Sequence, residues 1–333
     1  MTTDRLRAIV RTFGPAADVV TTERYAPERP GPGQVAVRML LAGVNPSDLV
    51  TISGAYASRT TLPFVPGFEG VGVVEATGPG VAEVTTGQRV LPLGSAGAWQ
   101  EVKVTESRWC FPVRAELDDP QAATAYINPL TAHLMIRQEV RPAPGAVVAV
   151  NAAASAIGRT LLRLLTRAGA RPVAVVRHPR SLPQLAGVVD PSATVCTADG
   201  PVDAALRDLT AGRGADAVLD AVGGPDGADL CRALRPGGTL VHYGLLSGRP
   251  LPHDLWTERP DVRVVLFRLR DWVHATDRGR VAAALDEVYD LILDGTAATT
   301  VAGVHPLSAV RAALLAERAA GRQGKILLDC GAA

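Results

Sequence analysis

The stretch from Val148 to Gly158 constrains this 333-residue chain more than any other segment. It reads Val-Ala-Val-Asn-Ala-Ala-Ala-Ser-Ala-Ile-Gly, and a helical stretch then leads to Val173-Ala174-Val175-Val176-Arg177. A buried strand, a tight turn of small residues, a helix and a second buried strand follow one another, which is the unit from which dinucleotide-binding sheets are built. Small side chains at Ser155, Ala156 and Gly158, with Ile157 between, let backbone amides approach a pyrophosphate at the positive end of the following helix. The second strand ends in Arg177 rather than in an acid that would bond a ribose 2′-hydroxyl. Arg177, with His178 and Arg180 just beyond, offers positive charge to a 2′-phosphate, so the implied cofactor is NADPH. The glycine fingerprint itself is incomplete. Counting back from Gly158, its two earlier positions hold Ala153 and Ser155, so the strand-turn-helix-strand context carries the reading against an ordinary βαβ unit without a ligand.

The length allows two domains, each with its own core. Charged residues make up 20 % and the net charge is +1, so no global field draws the protein to nucleic acid or to a membrane. The only lysines are Lys103 and Lys325. No stretch of 18 or more apolar residues could span a bilayer, and Met1-Thr2-Thr3-Asp4-Arg5 lacks a signal-peptide hydrophobic region, so a cytoplasmic protein is expected. Cys110, Cys196, Cys231 and Cys330 are far apart, without a CxxC spacing, and are expected as isolated thiols.

The chain changes rhythm near Gln121. Before it, short alternating runs such as 34–40, 71–75 and 89–92 are separated by Gly/Pro turns, the pattern of a β-rich domain. After it, helical stretches alternate with apolar strands predicted at 146–150, 172–176, 193–196, 217–220 and 239–243, which argues for a parallel, doubly wound sheet. A further strand is predicted at 262–266, helices at 278–294 and 307–320, and a last strand at 325–329 that returns to the first domain. The expected fold is α/β: a parallel Rossmann sheet over residues 124–269, inserted in a β-rich domain made of 1–123 and 270–333.

Several separate segments, in order, resemble the medium-chain dehydrogenase/reductase superfamily. They are Gly43-Val44-Asn45-Pro46-Ser47-Asp48, Gly54-Ala55-Tyr56, Leu62-Pro63 through Pro66-Gly67-Phe68-Glu69-Gly70-Val71-Gly72, Ala98-Trp99, Asn128-Pro129-Leu130-Thr131-Ala132, Ser155 to Gly158, and Val175-Val176-Arg177. The chain is most similar to the zinc-independent 2-enoyl thioester reductases of the mitochondrial type. The resemblance implies a GroES-like catalytic domain, NADPH, and a homodimer formed through edge strands of the cofactor domains. Zinc-dependent members carry Cys where this chain has Asn45 and His where it has Phe68, and neither residue present is a useful zinc ligand. Cys110 is the only cysteine before Cys196, so a four-cysteine structural site is absent as well, and no metal is expected. Glu69 alone makes no metal site and is expected to bond nearby backbone or an arginine.

Without a metal, the chemistry suits an activated alkene, which accepts hydride at its β-carbon while charge gathers on the conjugated carbonyl oxygen. The implied proton donor to the α-carbon is Tyr56, in the Gly-x-Tyr segment; a packed or surface tyrosine whose phenol merely hydrogen-bonds is the alternative. Asn45 is placed by the resemblance near the nicotinamide ribose or the substrate carbonyl, and it could equally form an Asn-Pro turn. Asn128 and Thr131 resemble residues lining the nicotinamide region, though Thr131 could also cap a helix. Tyr243-Gly244 ends a strand at the ligand-facing edge of the sheet, and Phe267 and Lys325 lie on segments near the cofactor in the family; solvent is the alternative for Lys325. Trp99 resembles an aromatic of the substrate cleft, with a core tryptophan as the alternative.

The family's aromatic pair after the 262–265 run is replaced by Phe267-Arg268-Leu269-Arg270-Asp271-Trp272. Arg268 and Trp272 would line the substrate pocket. An unpaired guanidinium beside hydrocarbon is costly, which weighs against a long fatty acyl tail and leaves Arg268 to a polar substrate, solvent or an interface. The implied partner is a small activated alkene, such as a CoA or carrier-protein thioester, with no nucleic acid and no membrane. A quinone oxidoreductase of the same superfamily and a non-catalytic NADPH-binding sensor or scaffold are the competing readings.

Overall fold

A computed structural model describes residues 4–319 and 321–331. The chain divides into two compact units, one running through Ile127 and resuming at Arg270, the other formed by Asn128–Leu269.

The second unit is built on a six-stranded sheet in the order Thr194–Cys196, Arg171–Val176, Val147–Val150, Ala215–Asp220, Leu234–His242 and Arg263–Leu266. Every neighbouring pair is parallel. Numbered within the unit, the strand order is 3-2-1-4-5-6, that of the doubly wound dinucleotide-binding sheet. All four residues of Val147–Val150 are buried, because helices on both faces leave an interior parallel strand no solvent side. The Ala156–Arg167 helix turns Leu161, Leu162, Leu164 and Leu165 inward. Ser155 caps it, its hydroxyl accepting the Gly158 amide at 3.1 Å, which contributes about 1 kcal/mol to helix stability.

The first unit centres on the Gln34–Gly43 strand, which pairs antiparallel with Gly70–Thr77, Val102–Glu106 and Lys325–Asp329. The last strand of the chain thus lies beside one of the first, and Val301–Pro306 runs parallel along its other side. Val35, Val37, Met39, Trp99, Ile326 and Leu328 belong to one buried core.

Most predicted bounds shift by one or two residues, and two elements differ in kind. The strand expected at 239–243 begins at Leu234, because the ladder pairs Ala215 with Leu234, slips, and resumes at Ala217 with Thr239. The Pro236-Gly237-Gly238 run that reads as a turn is therefore a bulge within a strand. The helix expected at 307–320 opens as a tight turn over Leu307–Ala309 and is α-helical over Val310–Arg318; Ala320 lies outside the described residues. Among the described residues no helix is long and apolar enough to cross a membrane.

Candidate functional site

The carboxyl edge of the parallel sheet carries features suited to a dinucleotide. A Cβ on Gly158 would lie 2.5 Å from the Ala152 carbonyl oxygen and 2.6 Å from that of Ala153, so only glycine lets the helix start this close to the turn. The first amides of that 12-residue helix have no intrahelical acceptor, and Ala156 and Ile157 present theirs at its positive end. Arg177, His178 and Arg180 are exposed just past the Arg171–Val176 strand, and among the described residues none of their side chains is held in an ion pair. They are free to meet an anion. Across the sheet, the Tyr243 hydroxyl is buried with no hydrogen-bond partner among the described residues, and burial, with the Asp220 charge, pushes this phenol up. A Cβ on Gly244 would lie 2.7 Å from the Ala221 carbonyl oxygen. Phe267 is buried and its amide donates to the His242 carbonyl at 2.9 Å, whereas Arg268 is exposed. Asn128 is half-buried in a wide helical turn, Tyr126–Leu130, and Thr131 is buried at the start of Thr131–Leu134; Leu130, not Thr131, holds the cap position.

Asn151, Asp220 and His242, which the sequence reading passed over, form a hydrogen-bonded chain at the same edge. Asp220 Oδ1 accepts from Asn151 Nδ2, and Asp220 Oδ2 lies 2.6 Å from His242 Nδ1. A signal was present: each residue closes or follows an apolar strand run.

In the first unit, Asn45, Asp48, Glu69 and Lys325 come together although the chain separates Asn45 from Lys325 by 280 residues. Glu69 Oε1 accepts from Asn45 Nδ2 at 2.9 Å and from Lys325 Nζ at 2.7 Å, and Glu69 Oε2 accepts the Ile127 amide at 2.7 Å. Lys325 Nζ also donates to Asn45 Oδ1. Asp48 accepts the Asn45 amide at 2.8 Å, fixing the start of the Pro46–Ile52 helix, and the Phe68 amide at 3.1 Å. Burial, reinforced by the nearby Glu69 charge, pushes the Asp48 carboxyl up to about 7 against the pull of these donors and of Lys325.

This cluster bears on three expectations. Asn45 has no exposed surface and both ends of its carboxamide are engaged, so it holds the interior together rather than offering itself to a ligand. Glu69 does bond nearby backbone, at the Ile127 amide, but its charged partner is a lysine rather than an arginine, and Lys325 is buried at 4 % exposure rather than solvated. Trp99 is likewise fully buried in the core, its indole N–H donating to the Gly43 carbonyl at 3.0 Å, and a side chain without exposed surface lines no open pocket.

Tyr56 is different. It is half-buried, follows the Pro46–Ile52 helix, and carries the Arg59 guanidinium 4.8 Å from its ring centroid. Its hydroxyl makes no hydrogen bond among the described residues. Trp272 is half-buried on the Leu269–Ala275 helix. Asn45 and Phe68 supply neither thiolate nor imidazole, and among the described residues no three His, Cys, Asp or Glu side chains converge as a metal would require.

Comparison with known proteins agrees with this geometry. Residues 31–115 match the alcohol dehydrogenase GroES-like domain, and residues 193–328 match the domain described as zinc-binding dehydrogenase. The chain is 30 % identical over 307 residues to the mitochondrial enoyl-[acyl-carrier-protein] reductase of Dictyostelium discoideum, covering 89 % of this chain and 86 % of that protein. A Bacillus thuringiensis structure assigned as an NADPH:quinone reductase is 34 % identical, with a TM-score of 0.92 over 98 % of this chain and 99 % of that one. A mycobacterial structure complexed with NADPH is 26 % identical, with a TM-score of 0.87 over 97 % of this chain and 99 % of that one. With its GroES-like and doubly wound units, the chain belongs to the medium-chain dehydrogenase/reductase superfamily.

Proposed function

We propose that the protein is a cytoplasmic, zinc-independent reductase that uses NADPH to saturate an activated carbon–carbon double bond, most specifically that of a 2-enoyl thioester. The observation that carries the reading is Tyr56: a partly exposed phenol whose hydroxyl bonds no group among the described residues, with a guanidinium against its ring. The enoyl reductase among the relatives supports the substrate class.

When bound, NADPH would supply the hydride that the β-carbon of the substrate accepts. The small-residue turn at Ser155–Gly158 and the helix behind it would hold the pyrophosphate, and Arg177, His178 and Arg180 would hold the 2′-phosphate. Once the alkene has become an enolate, Tyr56 gives its hydroxyl proton to the α-carbon. The Arg59 cation offsets the charge left on the phenolate oxygen, which recovers a proton from water.

Reduction of a quinone is the second reading, favoured by the 34 % identity to the protein assigned as an NADPH:quinone reductase. Following NADPH oxidation with crotonyl-CoA and with a small benzoquinone separates the two. Turnover of crotonyl-CoA supports the enoyl reading. Turnover of the quinone alone replaces it, and tight NADPH binding without turnover of either points to a sensor or scaffold.

A further inference from the structure

The Asn151–Asp220–His242 chain has no part in the chemistry just described. Asn151 follows the Val147–Val150 strand, Asp220 ends Ala215–Asp220 and His242 ends Leu234–His242, and these three strands are neighbours. Asp220 has no exposed surface. Beyond Asn151 and His242, its carboxylate accepts the amides of Val222 at 2.9 Å and Gly223 at 3.1 Å, while Asn151 Oδ1 accepts the Ala221 amide at 2.7 Å. Burial pushes this carboxyl up, yet the bonds from His242, Asn151 and Val222 outweigh it and hold the group below the usual carboxylate range.

An ionised carboxylate is an acceptor only, so the ring nitrogen facing it carries the proton. Nδ1 of His242 therefore donates to Asp220, and Nε2 is the free end of the chain. Among the described residues Nε2 has no hydrogen-bond partner, and the His242 side chain keeps 15 % of its surface exposed.

The strand order says what that free end faces. In a doubly wound sheet the ligand lies across the carboxyl edge where the order reverses, here between Val147–Val150 and Ala215–Asp220. Arg177 follows the second strand on one side of that point, Arg171–Val176, while Asp220 and His242 end the first and second strands on the other. A dinucleotide whose phosphorylated adenosine end lies toward Arg177 extends its nicotinamide-ribose half over Asp220 and His242.

We propose that His242 is a recognition residue for the nicotinamide-ribose half of NADPH, its Nε2 forming a hydrogen bond with a hydroxyl or amide of that half, with Asp220 and Asn151 as positioning residues. The inference rests on the NADPH reading above. Because Asp220 orients the ring before any ligand arrives, little side-chain freedom is lost on binding.

His242→Asn isolates the claim, since its amide can still donate to Asp220 while the Nε2 end is deleted. Titrations of the whole protein with NADPH and with 2′,5′-ADP, which lacks the nicotinamide half, give the readout. The expected result is an NADPH Kd raised about tenfold, the worth of one hydrogen bond, with 2′,5′-ADP binding and the thermal midpoint unchanged. His242→Gln, whose carbonyl reaches toward the Nε2 position, is expected to recover part of the loss. An unchanged NADPH Kd overturns the proposal, as does equal weakening of both ligands, which would mark a purely structural ring. Wild-type protein that binds neither ligand overturns the underlying cofactor reading instead.

Discussion

Lys325 Nζ sits 2.7 Å from Glu69 Oε1, with the two side chains 4 % and 1 % exposed. Removing a charge from water costs several kcal/mol, and this pair offsets the cost because Asn45 bonds both partners and the Ile127 amide takes the second carboxylate oxygen. Lys325→Met strips the cation and leaves Glu69 buried and unpaired. The expected loss is about 3–5 kcal/mol of stability, while Lys325→Met with Glu69→Gln loses clearly less. Denaturant unfolding of the two variants checks it; a single variant within about 0.5 kcal/mol of wild type means that the pair contributes no more than an exposed one.

Asp48 gives the pH dependence its sign. Its carboxyl is pushed up to about 7 in the folded protein by burial first and by Glu69 second, from an ordinary value of about 3.9 in an unfolded chain. The folded state therefore binds the proton more tightly. Protonation stabilises it, and this contribution falls as pH rises from about 4 to about 7, then stays flat. Unfolding measured from pH 5 to 8 should show wild type losing stability relative to Asp48→Asn as the pH rises. A difference that is constant, or that grows with pH, contradicts the assignment.

What the sequence made legible follows from how local each signal is. The 146–150 and 172–176 runs are apolar because interior parallel strands are covered on both faces, and the structure places strands at Val147–Val150 and Arg171–Val176. The Arg89–Pro92 and Lys325–Asp329 strands stand at the predicted bounds, since turns or a return to polar sequence mark their ends. The buried cluster was not legible. Nothing local distinguishes a lysine that pairs with a carboxylate 256 residues away from one in solvent, and Asn45 reads equally as a turn former or a ligand contact. Trp99 could not be assigned either, because core and cleft both select an aromatic.

Cofactor choice should follow Arg177. The side chain is exposed at the end of Arg171–Val176 and is held in no ion pair among the described residues, so a phosphate meets a guanidinium that has no competing carboxylate. A hydrogen bond to a charged group contributes about 1.5–3 kcal/mol. Arg177→Ala is therefore expected to lower the preference for NADPH over NADH, as a ratio of kcat/KM values, by about 10- to 100-fold. The change should arise from the NADPH value alone. An unaltered ratio moves the recognition of the 2′-phosphate away from this strand end.

Tyr56 is the sharpest test of the proposed chemistry. Its hydroxyl has no partner among the described residues, so Tyr56→Phe removes one oxygen without leaving a donor or acceptor unsatisfied there, and stability should stay within about 0.5 kcal/mol of wild type. If the phenol protonates the enolate, kcat with a 2-enoyl thioester should fall by about 10²-fold or more, while the Kd for NADPH stays unchanged. Quinone reduction distinguishes this role from a general effect on the protein, because a quinone takes up its hydride without protonation at carbon. Tyr56→Phe should therefore spare any quinone turnover that the wild type shows. If alkene reduction by the variant matches wild type, water or another donor delivers the proton, and Tyr56 leaves the mechanism.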